Sequence, residues 1–96
     1  MITREILARH RHSILEIARR NGAHDVRVFG SVARGDADDS SDLDLLVRFE
    51  PGTSLMDYGM LIEELQDLLG VRVDVVSEGA MHARFRARVL KEAVPL

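Results

Sequence analysis

Three aspartates and a glycine–serine pair are the residues of this chain best placed to do chemistry. Asp42 and Asp44 occupy alternate positions in SDLDLLV, where an apolar run marks a strand. Strand side chains alternate between faces, so the two carboxylates project on the same side about 7 Å apart. Asp74 lies in the same way inside the apolar run VRVDVV. Carboxylates held that close repel one another unless a proton or a cation intervenes. If the strands carrying them are neighbours, three hard oxygen donors converge at one rim of a sheet. Such a set suits Mg²⁺ or Mn²⁺, which take near-octahedral oxygen coordination and keep positions open for a substrate phosphate. For Asp42 alone, capping by turn amides at a strand start is the stronger reading. For the trio the metal reading is stronger, because Asp44 and Asp74 sit within apolar sequence. Asp36, Asp38 and Asp39 fall in a polar loop and are expected to be solvated.

Gly30-Ser31 closes an earlier apolar run, and ten residues separate it from Asp42. Glycine lets a phosphate approach the backbone. Val32-Ala33-Arg34 can begin a helical turn whose free amides, with the Ser31 hydroxyl, bind it. Alone, a Gly-Ser pair is only a turn. There is no Gly-Lys-Ser/Thr loop and no dinucleotide-type glycine triplet, so those phosphate-binding folds are not supported.

The elements that must position these residues can be read from periodicity. Residues 3–21 predict one helix, with Ile6, Leu7, Ile14, Ile17 and Ala18 on one arc, Thr3 as N-cap and Asn21-Gly22 as stop signal. A strand follows over 25–29, then a short helical turn and a loop over 31–41. A second strand over 43–49 ends at Pro51-Gly52. Ser54 and Asp57 form a capping box for a second helix, with Leu55, Ile62, Leu65 and Leu69 toward the core. Gly59 inside it costs about 1 kcal/mol against alanine and is expected to loosen its first turns. Gly70 ends that helix, a third strand covers 71–76, and Met81, Phe85 and Val89 mark the apolar stripe of a final helix. The expected fold is α+β, an α/β sandwich with a small mixed sheet and flanking helices, in one domain over 1–96.

Composition narrows the function classes. At 96 residues, 46% hydrophobic and 30% charged, the chain is ordinary for a soluble globular protein. A net charge of −3 supplies no global field toward nucleic acid or anionic lipid. No cysteine is present, which excludes disulfides and thiolate metal sites and fits a reducing cytoplasm. No apolar run reaches the length of a membrane span or a signal peptide, so no membrane association is expected. His10 and His12 point to different faces of a helix, which argues against a shared metal; His10 is expected at the core edge and His24 in a turn. Arg84, Arg88 and Lys91 form a basic stripe on the final helix, most often a solvated face, otherwise a contact for phosphate or for an acidic partner. With one tyrosine and three phenylalanines in the chain, direct nucleic-acid binding has little support.

Taken together, Gly30-Ser31, ten residues and Asp42-Leu43-Asp44, with Arg34-Gly35 between and Ser41 just before, resemble the signature of the DNA polymerase β-like nucleotidyltransferase superfamily. Asp74 stands where that family's third carboxylate falls. The small size and the ending RVLKEAVPL look like the minimal nucleotidyltransferases, whose genes often neighbour those of HEPN-domain proteins. The resemblance covers nearly the whole chain and implies the polymerase β-like nucleotidyltransferase fold. It implies that Asp42 and Asp44 ligate two Mg²⁺ ions, with Mn²⁺ as the alternative. Asp74 would hold the catalytic metal and help deprotonate the attacking hydroxyl, and Gly30 and Ser31 would hold the triphosphate. Arg34 either contacts phosphate or makes a salt bridge that braces the acidic loop. The implied activity is transfer of a nucleoside monophosphate, AMP from ATP, to an acceptor hydroxyl on a HEPN-type toxin, with this chain as cytoplasmic antitoxin. Two alternatives stand beside it: a module that neutralises a partner by covering it, and a transferase acting on a small molecule with another subunit. Three mutually repelling carboxylates favour the enzyme, since covering does not require them. Homo- and hetero-oligomers both remain open.

Overall fold

The computed structural model describes residues 1–96. Thr3 caps the first helix, α1 (Arg4–Arg9), its Oγ1 accepting from the Ile6 amide at 3.2 Å. The helix expected over 3–21 is in fact two. His10 leaves helical geometry (φ −102°, ψ 9°), ends α1 and precedes α2 (Arg11–Arg20). This break lets Leu7 and the Ile14, Ile17, Ala18 face reach the same core from two directions. His10 is accordingly a half-buried junction residue. Asn21 stops α2 as expected and is buried, its Nδ2 donating to Ile17 O and to Glu64 Oε1, both at 2.9 Å.

The first strand, β1 (Ala23–Phe29), starts earlier than expected because it carries a bulge between His24 and Arg27, with Asp25 at φ 53°. His24 is therefore a strand residue, not a turn residue. A single helical turn and a little more, α3 (Gly30–Arg34), leads through an acidic loop to β2 (Leu43–Phe49). The Ser54–Asp57 capping box is present in both directions and opens α4 (Leu55–Leu69), which runs unbroken through Gly59 to a left-handed Gly70. Then come β3 (Val73–Ser77), a 3₁₀ turn (Glu78–Ala80), α5 (Ala83–Glu92) and a two-residue strand β4 (Val94–Pro95). The sequence pattern misses β4 because two residues carry no periodicity and Pro95 is tolerated only at a sheet edge.

The sheet order is β3-β2-β1-β4, with β1 antiparallel to both neighbours and β2 parallel to β3. Its two faces are unequal. Val28, Leu43, Leu45, Val47, Val73 and Val75 face α2 and α4, where Ile14, Leu61 and Leu65 complete the main core. The opposite face carries only Phe29, Leu46 and Val89 of α5 as buried apolar residues. Polar clamps hold α5 there instead. Glu78, 6% exposed, accepts from Arg27 (2.7 Å), Arg48 (2.9 Å) and Arg86 of α5 (3.1 Å). The hydrogen bonds from Arg48 and Arg27 hold its pKa down to about 2. No helix is long and apolar enough to cross a membrane.

Gly59 is exposed, and an added Cβ would meet nothing within 4 Å. Gly59→Ala is therefore expected to raise stability by about 0.5–1 kcal/mol, measured as a higher urea midpoint at unchanged slope. A lower midpoint would show that this helix turn needs glycine for some other reason.

Candidate active site

The end of β1 meets the start of β2 at one point, Gly30. Phe29 and Asp44 are register partners across these strands, and Gly30 turns out of β1 at φ +75°. A Cβ on Gly30 would lie 2.2 Å from Asp44 Oδ2 and 3.1 Å from its Cγ. Only glycine satisfies both the backbone sign and the space. The carboxylate thus rests directly on the backbone from which α3 begins, with Ser31 half-exposed beside it.

On its other side Asp44 is the register partner of Asp74 in the parallel pair β2–β3. Partners in register share a face, and neighbouring strands lie about 4.8 Å apart. Each aspartate is flanked along its strand by residues of the main core, Leu43 and Leu45 for Asp44, Val73 and Val75 for Asp74. The apolar neighbours turn into the core and thereby fix the carboxylates on the opposite, open face. Asp74 is exposed and Asp44 half-buried. Burial, then the charges of Asp74 and Asp42, then a hydrogen bond with Asp74 and the charge of Glu92, push the Asp44 carboxyl up to about 6.

Asp42 precedes β2, whose first amide, Leu43 N, is anchored on Arg72 O at 2.9 Å. Its carboxylate lies 3.9 Å from Arg72 Nε and does not close with Asp44 and Asp74 into one three-ligand group. The structure therefore brings together Gly30, Asp44 and Asp74 and leaves Asp42 at the edge of the set. The donor chemistry fits Mg²⁺: every candidate ligand is a carboxylate oxygen, and the central one is crowded by neighbouring negative charge. Arg34 reaches across the site mouth to Asp36 (3.2 Å) and to Glu92 of α5, which raises its already high pKa.

Two contributors escaped the sequence reading. Asp38 is more than a solvated loop residue: its Oδ1 accepts from Ser40 N, Ser40 Oγ and Ser41 Oγ at 2.8–3.2 Å, which shapes the loop leading into Asp42 and lowers the Asp38 pKa. Glu92 ends α5, where the helix macrodipole disfavours an anion, and that misplaced charge was the available signal of a tertiary partner.

For Asp44 the folded-state pKa lies above its ordinary value of 3.8, so its ionisation destabilises the fold above about pH 6 and is relieved as pH falls. Asp44→Asn is expected to stabilise the metal-free protein by about 1–2 kcal/mol at pH 7.5, a figure reduced by solvent screening at an open rim. The gain should shrink as pH falls from about 6 and vanish only below about 3.8, the ordinary value. A pH-independent difference between the two proteins in thermal denaturation would contradict the assigned repulsion.

Residues 11–96 match the profile of the nucleotidyltransferase domain. The chain is 40% identical over 93% of its length to the protein adenylyltransferase MntA of Thermococcus cleftensis, covering 87% of that protein. A solved structure assigned as a minimal nucleotidyltransferase superposes with a TM-score of 0.89 at 53% identity, over 99% of this chain and 97% of that one. The MNT antitoxin complex with the tri-AMPylated HEPN toxin of Shewanella oneidensis also shares the fold, with a TM-score of 0.69 at 18% identity over 92% of this chain and 69% of that one. A carboxylate pair seated on a glycine turn, in this sheet order and with these likenesses, identifies the chain as a nucleotidyltransferase that belongs to the nucleotidyltransferase domain family in its minimal form.

Proposed function

We propose that this nucleotidyltransferase transfers AMP from ATP to a hydroxyl of a HEPN-domain protein, with Mg²⁺ as cofactor, and so acts as a cytoplasmic antitoxin from one minimal domain spanning 1–96. The observation that carries the proposal is the Asp44–Asp74 pair, in register over Gly30, with Asp44 held at a pKa of about 6. The MntA relative bears the name of a protein adenylyltransferase, and the Shewanella complex pairs an MNT antitoxin with an AMP-modified HEPN toxin.

Asp42, Asp44 and Asp74 would hold two Mg²⁺ ions, which when bound neutralise charge on the entering and leaving oxygens. Gly30 offers the close backbone approach, and Ser31 a hydroxyl, to the triphosphate. Asp74 is the exposed member of the pair and faces an arriving acceptor, so it takes the hydroxyl proton. The acceptor oxygen then bonds to the α-phosphorus, the bond from that phosphorus to the bridging oxygen breaks, and pyrophosphate departs. Arg34, already braced by Asp36 and Glu92, borders the same mouth and contributes its remaining donors to phosphate.

Two experiments test this reading. A catalytic amount of the chain, with ATP, Mg²⁺ and a HEPN-domain protein from the same genome, should add one or more AMP masses to an excess of that protein in mass spectrometry. Asp74→Ala should abolish the addition. Neutralisation that needs stoichiometric chain, adds no mass and survives Asp74→Ala would establish the covering module instead. Ser31→Ala should weaken ATP binding by about 1–3 kcal/mol in calorimetry while leaving the melting temperature nearly unchanged. Equal affinities would make Ser31 a turn residue only.

A further inference from the structure

α5 is the least covered helix of the fold. Val89 is its one buried residue, while Phe85 and Leu90 remain 41% and 37% exposed. Its cations divide into two groups. Arg86 turns inward to Glu78, and on the same sheet face Arg27 and Arg48 share that carboxylate while Arg34 takes Asp36 and Glu92. Arg84, Arg88 and Lys91 meet no carboxylate, although the chain has 16 acidic residues against 13 basic ones. Spaced four and three residues apart, they form one exposed row on the helix. Arg84 lies in the first turn, where the macrodipole disfavours a cation, so helix stability does not account for it.

The row also has a direction. α5 runs from the Glu78 cluster toward the carboxylate rim, where Glu92 bonds Arg34 and adds its charge to that of Asp44. Lys91 therefore lies at the end of the helix nearer the rim, and Arg88 and Arg84 lead away along it. The site end of this helix thus borders the rim that carries Asp44 and Asp74.

We propose that the exposed face of α5, a row of Arg84, Arg88 and Lys91 flanked by Phe85 and Leu90, is the docking surface for an acidic face of the acceptor protein, and sets which hydroxyl is presented to the site. This rests on the proposed transfer to a protein acceptor and specifies the surface that recognises it. Charge complementarity selects the occupant: a row of three unpartnered cations flanked by two partly exposed apolar side chains fits a protein patch with a run of carboxylates bordered by apolar groups. A nucleic acid is the poorer fit. Its uniform backbone charge, following the row, would run onto Asp36, Asp42, Asp44 and Asp74 at the rim.

The test uses the full chain and the HEPN-domain acceptor described above. The double variant Arg84→Glu/Arg88→Glu should raise the acceptor KM about tenfold at 50 mM salt, with kcat and the KM for ATP changed less than about twofold. The difference should fall to about twofold or less at 500 mM salt, and Arg84→Lys/Arg88→Lys should keep wild-type kinetics. A wild-type chain that modifies the acceptor while the double variant matches it in KM and salt dependence overturns the docking surface and leaves the proposed transfer intact. Absence of modification by the wild-type chain overturns the transfer itself, and the docking proposal with it. A labelled 20-nucleotide RNA that binds the wild-type chain, competes with the acceptor and loses affinity in the double variant would assign the row to nucleic acid and overturn the proposal.

Discussion

The juxtaposition of Asp44 and Asp74 across two parallel strands is the constraint on which the rest of the structure depends. Two carboxylates in register repel, and the strands keep them there because their sequence neighbours are apolar. Leu43, Leu45, Val73 and Val75 are all buried on the other face. Each such burial stabilises by about 1.5–3 kcal/mol, so the four together outweigh a repulsion of about 1–2 kcal/mol at a half-open rim. The same constraint reaches β1. Asp44 Oδ2 occupies the place a Cβ of residue 30 would take, so the turn that begins α3 has to be glycine, and the phosphate-approachable backbone follows from the position of the carboxylate.

α5 shows how a helix can be held with little apolar burial. One valine would not fix a ten-residue helix on a sheet. Glu78 supplies the difference at one end by taking three guanidinium groups from β1, β2 and α5, and Arg34 does so at the other by taking Glu92. A buried carboxylate is costly alone and tolerable when every lone pair is engaged. Through these two clamps the helix that borders the site is tied to β1 and β2 at one end and to α3 at the other, while its outer face stays free.

How much of this could be read beforehand depended on whether the determining partner was near in sequence. Thr3, the Ser54–Asp57 box, Gly70 and β2 were legible, because a cap or an alternation is written within a few residues. The Gly30, Asp44 and Asp74 constellation was legible as residue types and spacing, but the closeness of Gly30 to Asp44 was not, since it arises from pairing Phe29 with Asp44. The split of the first helix at His10 follows from packing two short faces into one core, which a helical wheel does not represent. Glu78 had no local signature: an acidic residue after a strand reads as surface until arginines from elements 30 and 51 residues away close over it. Glu92 and Arg84 were different. Both stand against the helix dipole, and a charge that violates a local rule points to a tertiary role.

Net charge is a poor guide to what such a small surface attracts. The value of −3 averages a carboxylate rim and a cationic helix that lie side by side. At physiological salt the screening length is about 8 Å, so a ligand responds to the few side chains within one or two helical turns and not to the sum. The rim and the helix can therefore select opposite charges without cancelling each other. In the proposed reading a divalent cation goes to Asp44 and Asp74, and an anionic surface to α5 at the rim's edge. The proposed transfer to an acidic protein acceptor uses both kinds of ligand at one place. An acid-rich chain can present both charges by placing three unpaired cations, Arg84, Arg88 and Lys91, on the helix that ends at its acids.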